Sequence, residues 1–218
     1  LDGDGKKEVW ITSYTKGGRV FCFEETTDGT LAFVWASPEL DSTDYGSTPR
    51  DLGFGDMDGD GSPELIIVMN LSRFENNTTP HVFIATYSWN GSNFSEIPSS
   101  TLDLGKENRS LRCNNFQLLD QDSDGDQEIV LALGSPFRGF AIINLIDDKL
   151  TITKKVRPDE LLVGSGLLYV GVVDYDRDGF DDVLALSPDG STIKAQPFYN
   201  IGGVFDSGHL VIEKVEGL

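Results

Sequence analysis

The chain has 218 residues, of which 39% are hydrophobic, and its 24 glycines and 9 prolines favour many turns over long helices. Its 36 acidic and 17 basic residues give a net charge of -19, which disfavours binding to nucleic acid or to anionic membrane surfaces. No apolar run approaches the roughly 20 residues that a spanning helix requires, so we expect no membrane insertion in this segment.

An acidic motif of the form DxDxDGxx[DE], followed by an apolar run, occurs four times along the chain. The copies read LDGDGKKEVWIT from residue 1, DMDGDGSPELIIV from 56, DQDSDGDQEIVLA from 120 and DYDRDGFDDVLAL from 174. Their closing acids are 56, 64 and 54 residues apart. A loop this specific at a nearly fixed period predicts a repeat architecture.

Each acidic loop is flanked by short apolar segments rich in β-branched and aromatic residues, which predicts strands on its two sides. A second hairpin follows in each unit, with turns at 28–29, 90–91, 147–148 and 202–203. Four strands per unit predict an all-β fold of four-stranded antiparallel blades, a β-propeller. We assign approximate blades to residues 1–49, 50–112, 113–164 and 165–218, with linkers at 38–49, 98–112 and 157–164.

The first unit lacks its opening strand and its first acid, because the chain opens inside the motif. We therefore expect residues 1–218 to be a partial propeller, a segment of a longer precursor. A closed ring needs partners for its open edges, and a total of seven blades is favoured over four.

The alternating carboxylates of each loop predict a metal site. Acid side chains at loop positions 1, 3, 5 and 9, with a backbone carbonyl at position 7, suit the roughly six to eight oxygen ligands of Ca²⁺. The three complete sites are predicted to comprise Asp56, Asp58, Asp60, Ser62 and Glu64; Asp120, Asp122, Asp124, Asp126 and Glu128; and Asp174, Asp176, Asp178, Phe180 and Asp182. A fourth, truncated site retains Asp2, Asp4, Lys6 and Glu8, with Lys6 at the carbonyl position. We expect the sites to act independently.

Other metals and another calcium motif fit these loops less well. Mg²⁺ demands stricter octahedral geometry, and transition metals prefer the His and Cys ligands that the loops lack. An EF-hand shares DxDxDG but requires a glutamate at position 12, where this chain has Ile67, Leu131 and Ala185. Its flanks would also be helices, whereas strands are predicted here.

The repeated units resemble FG-GAP or VCBS repeats, the calcium-binding blades of integrin α-subunit propellers and many extracellular proteins. LGFGDMDGDGSPELIIV, from residue 52, matches the strand, loop and strand of that family, and LALGSP at 131 is similar to its Gly-Ala-Pro ending. MNLSRF, from residue 69, departs from the integrin pattern. The resemblance implies that calcium stabilises the blades, while a protein or glycan ligand binds to other propeller loops.

Six of the ten asparagines begin an NxS/T triplet, which predicts passage through a eukaryotic secretory pathway. The expected N-glycan sites are Asn70, Asn76 or Asn77, Asn90, Asn93 and Asn108. We therefore expect an extracellular protein, either secreted or the ectodomain of a membrane protein. Cys22 and Cys113 leave three alternatives open, which are a mutual disulfide, bonds to cysteines outside this segment, or buried thiols.

No catalytic constellation is evident from the sequence. His81 and His209 lie in strand-like contexts, and no GxSxG, HExxH or phosphate-binding glycine loop occurs. Trp10, Trp35 and Trp89 suit an inter-blade core better than a sugar-stacking surface. We expect a non-enzymatic platform for adhesion or protein interaction. The alternatives are a carbohydrate-binding, lectin-like propeller and the propeller domain of a polysaccharide-degrading enzyme.

Overall fold

The computed structural model is built almost wholly of antiparallel β-sheets. It describes residues 5–13, 18–40, 48–71, 81–90, 93–97, 102–103, 113–134, 137–159, 162, 169–189, 191–209 and 211–214. Among these residues, no helix is long and apolar enough to cross a membrane.

Four sheets follow one another along the chain. Sheet one contains β1 (Glu8–Ser13), β2 (Arg19–Glu25) and β3 (Leu31–Ala36). Sheet two contains β4 (Thr48–Gly55), β5 (Glu64–Leu71), β6 (His81–Trp89), β7 (Phe94–Glu96) and β8 (Leu102–Asp103). Sheet three contains β9 (Cys113–Leu119), β10 (Glu128–Leu133), β11 (Gly139–Ile146) and β12 (Lys149–Val156). Sheet four contains β13 (Tyr169–Val173), β14 (Asp182–Asp189), β15 (Thr192–Ile201), β16 (Val204–Ser207) and β17 (Val211–Lys214).

This arrangement confirms the predicted all-β class and the blade-like unit of four antiparallel strands in chain order. The described part of sheet one has three strands, as expected for a unit without its opening strand. The hairpin turns at 28–29, 147–148 and 202–203 also lie where predicted, and the turn predicted at 90–91 lies partly outside the described residues. Asp147 and Asp148 have φ values of 49° and 59°, and Gly202 and Gly203 have 57° and 84°, which suits two-residue turns with both central residues at positive φ.

Four details differ from the sequence-based expectations. β8 lies inside the predicted linker 98–112, and β17 adds an unpredicted strand beside β15. β4 begins at Thr48, so Pro49 belongs to a strand and not to a linker. His209 lies between β16 and β17 and is exposed, so its strand assignment was wrong, because the chain turns at Gly208 to bring β17 alongside β15. His81 does begin a strand, β6.

The sheets pack face to face in chain order, with a separate apolar core in each interface. In β5, Leu65, Ile67 and Met69 face sheet one, whereas Ile66 and Val68 face sheet three. In β10, Ile129 and Leu131 likewise face sheet two while Val130 and Ala132 face sheet four. Burial on both faces explains why these strands are continuous apolar runs and do not alternate with polar residues.

The opening strands β4, β9 and β13 lie side by side and are fastened by side chains. Asp51 of β4 accepts a hydrogen bond from the backbone N of Phe116 in β9 (3.1 Å). Asn115 of β9 forms a pair of bonds with Val170 of β13, donating to its O (2.8 Å) and accepting from its N (3.1 Å). These contacts hold successive acidic loops at the same end of the stack.

Candidate metal centres

The three complete acidic loops share one backbone conformation. Each begins directly after an opening strand and closes on the first residue of the next strand, at Glu64, Glu128 or Asp182. The first acid of each loop accepts a hydrogen bond from the glycine at position 6, so that the loop folds around its first carboxylate. The acid at position 5 accepts one from the N of position 7, an Asx turn. The loop is therefore shaped by its own aspartates.

Three side-chain oxygens converge within 4.8 Å of one another in each loop. The three triads are Asp56, Asp58 and Glu64; Asp120, Asp122 and Asp124; and Asp174, Asp176 and Asp182. Asp60, Glu128 and Asp178 lie outside these triads, and their role as ligands stays a prediction. The same holds for the carbonyl ligands proposed at Ser62, Asp126 and Phe180.

The closing acids differ in how their oxygens are used. Asp182 accepts from the N of Tyr175 (2.8 Å) and from the N of Asn200 (2.8 Å), one bond on each oxygen. Glu64 accepts from the N of Met57 on Oε2 (2.8 Å), and its Oε1 has no hydrogen-bond partner among the described residues.

Glu128 is the closing acid of the second triad's loop, and both of its oxygens are also occupied. It accepts from the N of Gln121 (2.7 Å) and from the Nδ2 of Asn144 (3.1 Å). Asp182 also has both oxygens bonded and still belongs to its triad, so these bonds do not account for the position of Glu128 outside its triad.

Bare buried oxygens show that the loops fit a cation. In the described part of the chain, Asp56 Oδ1, Glu64 Oε1 and Asp120 Oδ1 are buried without a hydrogen-bond partner. A buried carboxylate oxygen without a partner is costly, and a hard cation removes that cost. Because the converging atoms are all carboxylate oxygens, the triads suit a divalent cation that prefers oxygen.

The electrostatics of the loops support the same conclusion. Burial raises the pKa of Glu64 to about 7, against a bond from the Met57 N–H that lowers it, and the charges of neighbouring aspartates raise it further. Burial likewise raises the pKa of Glu128 to about 7, with the Gln121 N–H acting in the opposite direction. A cation would reverse the repulsion among the carboxylates and keep these acids ionised.

The truncated first loop is described only in part. Asp2 and Asp4 lie outside the described residues. Lys6 forms an ion pair with Glu24, and Glu8 begins β1. The fourth metal site therefore stays a prediction.

Neighbouring loops are joined by polar residues that the sequence analysis did not single out. Gln127 binds the backbone of Asp56 in the preceding loop, and Asn200 donates to the O of Gln121 (2.7 Å) in the loop of sheet three. Asn144 and Asn200 both lie in the third strand of their sheets, where most residues are apolar. Asn144 is an isolated asparagine in an apolar strand, a signal that could have identified it, whereas β15 contains other polar residues and offers no such signal for Asn200.

The remaining candidate residues have structural surroundings. Trp10, Trp35 and Trp89 pack against the core between sheets one and two, as expected. Cys22 and Cys113 are buried in different sheets and do not form a mutual disulfide. His81 begins β6 of sheet two, and His209 lies between β16 and β17 and outside the acidic triads.

Comparisons with known proteins agree with the repeat and the fold. A sequence model described as an FG-GAP-like repeat matches residues 1–67. The rhamnogalacturonan endolyase YesW of Bacillus subtilis (strain 168) is 32% identical over 118 residues, which cover 46% of this chain and 18% of that protein.

The fold of the four sheets resembles that of solved structures of rhamnogalacturonan lyases. The structure of YesW superposes with a TM-score of 0.55 at 16% identity, covering 93% of this chain and 44% of that one. The exotype lyase YesX has a TM-score of 0.53 at 13% identity, covering 91% and 41%. The lyase PL11 of Bacillus licheniformis has 0.53 at 15%, covering 92% and 43%. The chain thus spans less than half of each relative. Residues 1–67 therefore match an FG-GAP-like repeat, and the chain has the fold of part of these lyases.

Proposed function

We propose that this chain is the calcium-stabilised propeller segment of an extracellular polysaccharide lyase that acts on a rhamnogalacturonan-type polymer. One observation carries the proposal, which is that YesW resembles this chain both in sequence, at 32% identity, and in fold, over 93% of its length. This relationship favours the polysaccharide-degrading alternative over the adhesion platform that the integrin-like motif suggested.

Within that enzyme, we assign a scaffold role to the acidic loops. An elimination reaction needs a base beside the acidic carbon and positive charge on the substrate carboxylate. The loops contribute carboxylates and the cations that they bind. We therefore assign to this segment the role of holding the blades in shape.

Bound calcium should also reduce the electrostatic repulsion between this chain and an acidic polymer. A chain with a net charge of -19 repels a polyanion over about a Debye length, roughly 8 Å at physiological salt. Each bound Ca²⁺ removes two negative charges from one end of the stack of sheets. The polysaccharide partner is therefore expected to bind better when the loops are loaded.

The predicted glycans are compatible with this extracellular role. Asn90 and Asn93 are exposed at the turn between β6 and β7, where the N of Asn93 donates to the Oδ1 of Asn90 (2.9 Å). The side chain of Asn70 in β5 is not described, and Asn76, Asn77 and Asn108 lie outside the described residues. Secretion from a eukaryotic host followed by glycosidase treatment should lower the apparent mass.

Affinity electrophoresis of the chain through gels containing rhamnogalacturonan, with dextran gels as the neutral control, tests the proposal. We expect retardation by rhamnogalacturonan with calcium and less retardation with EGTA. A mobility that is the same in all gels would contradict a polysaccharide role. The scaffold assignment has its own readout, because new unsaturated chain ends, followed by ultraviolet absorbance, would show that this segment is catalytic.

A further inference from the structure

Two residues of the loop in sheet three lie directly on the preceding loop in sheet two. The backbone N of Gln127 donates to the O of Asp56 (2.8 Å), and the N of Asp56 donates to the Oε1 of Gln127 (3.1 Å). Both backbone groups of the first acid of loop 56–64 are thus held by the neighbouring sheet. Asp126 directly precedes Gln127 in the chain. The two bonds between Gln127 and Asp56 therefore place the Asp126 side chain beside loop 56–64.

Gly59 shows how closely Asp126 approaches. Position 4 of each loop has positive φ, which is 68° at Gly59, 62° at Ser123 and 66° at Arg177. The backbone conformation alone therefore does not require glycine, since two side chains adopt it. At Gly59, however, a β-carbon would overlap the Oδ1 of Asp126. The missing side chain makes room for a carboxylate from the next sheet.

The position of this carboxylate is electrostatically unfavourable without a cation. The negative charges of Asp124, Asp56, Asp58 and Asp120 all act on Asp126. In the described part of the chain, no lysine or arginine forms an ion pair with it. Like charges gathered in this way need a counter-charge between them.

A second observation points to a ligand at the same loop. The side chain of Glu64 is only 1% exposed, and its Oε1 has no hydrogen-bond partner among the described residues. Glu64 belongs to the triad with Asp56 and Asp58, the loop that Asp126 contacts at Gly59. Loop 56–64 therefore combines a bare buried oxygen with a carboxylate delivered from outside.

We propose that the carboxylate of Asp126 is a ligand of the divalent cation in loop 56–64, so that this ion joins sheet two to sheet three. The inference rests on the proposed binding of calcium. The sequence analysis assigned Asp126 as a backbone-carbonyl ligand of its own loop, 120–128. The present inference assigns its side chain as a ligand of loop 56–64. The equivalent of Asp126 in loop 174–182 is Phe180, so loop 120–128 receives no carboxylate from the following sheet. We therefore expect loop 56–64 to bind its ion more tightly than loop 120–128 does.

The test is calorimetric titration of Ca²⁺ into the EGTA-treated and dialysed full chain, comparing Asp126→Asn with Asp148→Asn. Asp148 is an exposed acid of the same sheet at positive φ (59°), a conformation that asparagine also adopts, so this control removes one charge away from the loops. We expect the tightest site to weaken roughly tenfold in Asp126→Asn. Asp148→Asn should bind as the wild type does.

A second pair of variants keeps every charge in place. Gly59→Ala should displace the Asp126 carboxylate and weaken the same site, whereas Ser123→Ala, at the equivalent position of the next loop, should not. If the wild type binds calcium but Asp126→Asn and Gly59→Ala bind it equally well, the cross-sheet ligand is refuted. If the wild type binds no calcium at all, the metal role in the proposed function fails, which is a distinguishable result.

Discussion

Loops 56–64 and 174–182 have the same motif but different surroundings. The second position of the first loop is Met57, which is 1% exposed and packs in the core between sheets two and three. The equivalent residue of the second loop is Tyr175, which is 52% exposed. Loop 56–64 is therefore part of the interface between sheets two and three. The corresponding side of loop 174–182 is exposed to solvent among the described residues.

Because of this difference, we expect the proposed metal of loop 56–64 to stabilise more than its own turn. In loop 56–64, the ion site shares residues with the inter-sheet contact, because Asp56 is bonded to Gln127 and Met57 enters the core. In loop 174–182, Asp182 is held by Asn200 of its own sheet. Loss of metal should loosen the interface directly in the first case, whereas in the second it acts on sheet three only through Asn200, which bonds Gln121.

The largest expected effect is that of removing all metal. Extracellular calcium sites bind with dissociation constants of about 10⁻⁴ to 10⁻³ M, so about 1 mM calcium contributes about 0.4 to 1.4 kcal/mol per site, roughly 1 kcal/mol at an intermediate affinity. Three sites would then raise the melting temperature by about 6 to 12 °C. We expect EGTA to lower it by that amount and magnesium to restore it poorly, as measured by scanning calorimetry. An unchanged melting temperature in verified metal-free protein would contradict the stabilising role.

The next effect compares the two loops directly. Asp58→Ala and Asp176→Ala remove the same ligand from an enclosed and an open loop, and each should abolish one calcium site. We expect Asp58→Ala to lower the free energy of unfolding by about 1 kcal/mol more than Asp176→Ala, since it also loosens the interface with sheet three. Urea denaturation in calcium measures the difference. Equal losses would mean that the enclosed surroundings of loop 56–64 have no energetic consequence.

Coupling between loops gives a smaller effect. Loops 56–64 and 120–128 touch through Gln127, so Asp58→Ala and Asp122→Ala should not be additive, with an interaction energy of at least about 0.5 kcal/mol. Asp58→Ala and Asp176→Ala act in sheets two and four, which sheet three separates, and should add within about 0.5 kcal/mol. The sequence-based expectation of independent sites would survive only if both pairs proved additive in a double-mutant cycle.

The sequence predicted the parts of the fold that depend on local pattern. The acidic loops, their flanking strands and the hairpin at Asp147 and Asp148 follow from residue types at short spacing. The short strand β17 was missed because it pairs along the outer part of its sheet, where Val211 and Ile212 stay largely exposed. β8 has only two residues, too few for a sequence pattern.

The finer geometry of the sites depends on contacts that local sequence does not encode. Glu128 looks like a ligand in its motif, yet Asn144, 16 residues away in β11, occupies one of its oxygens. Asp126 looks like a spacer in its motif, yet it reaches Gly59 of another sheet. Both outcomes follow from how strands and sheets pack, which a nine-residue motif cannot specify.

The last effect concerns pH, and it tests the buried closing acid of loop 56–64. In the metal-free protein, burial raises the pKa of Glu64 from 4.5 to about 7. As the pH rises through this range, the unfolded chain loses its proton first, so it binds fewer protons than the folded chain and the free energy of unfolding falls. Below about pH 4.5 both states are protonated and this contribution to stability is fully present. Glu128 has the same raised pKa and adds to the slope.

Calcium should reverse the sign of this dependence, because the cation binds the ionised carboxylate and protons compete with it at low pH. We expect thermal melts between pH 5 and pH 7 to show declining stability in EGTA and rising stability in calcium. Glu64→Gln should flatten the slope in EGTA, and the control Asp148→Asn should leave it unchanged. A slope in EGTA that is the same in Glu64→Gln as in the wild type would show that the buried acid of loop 56–64 is not the titrating group, and that its enclosure does not set its chemistry apart.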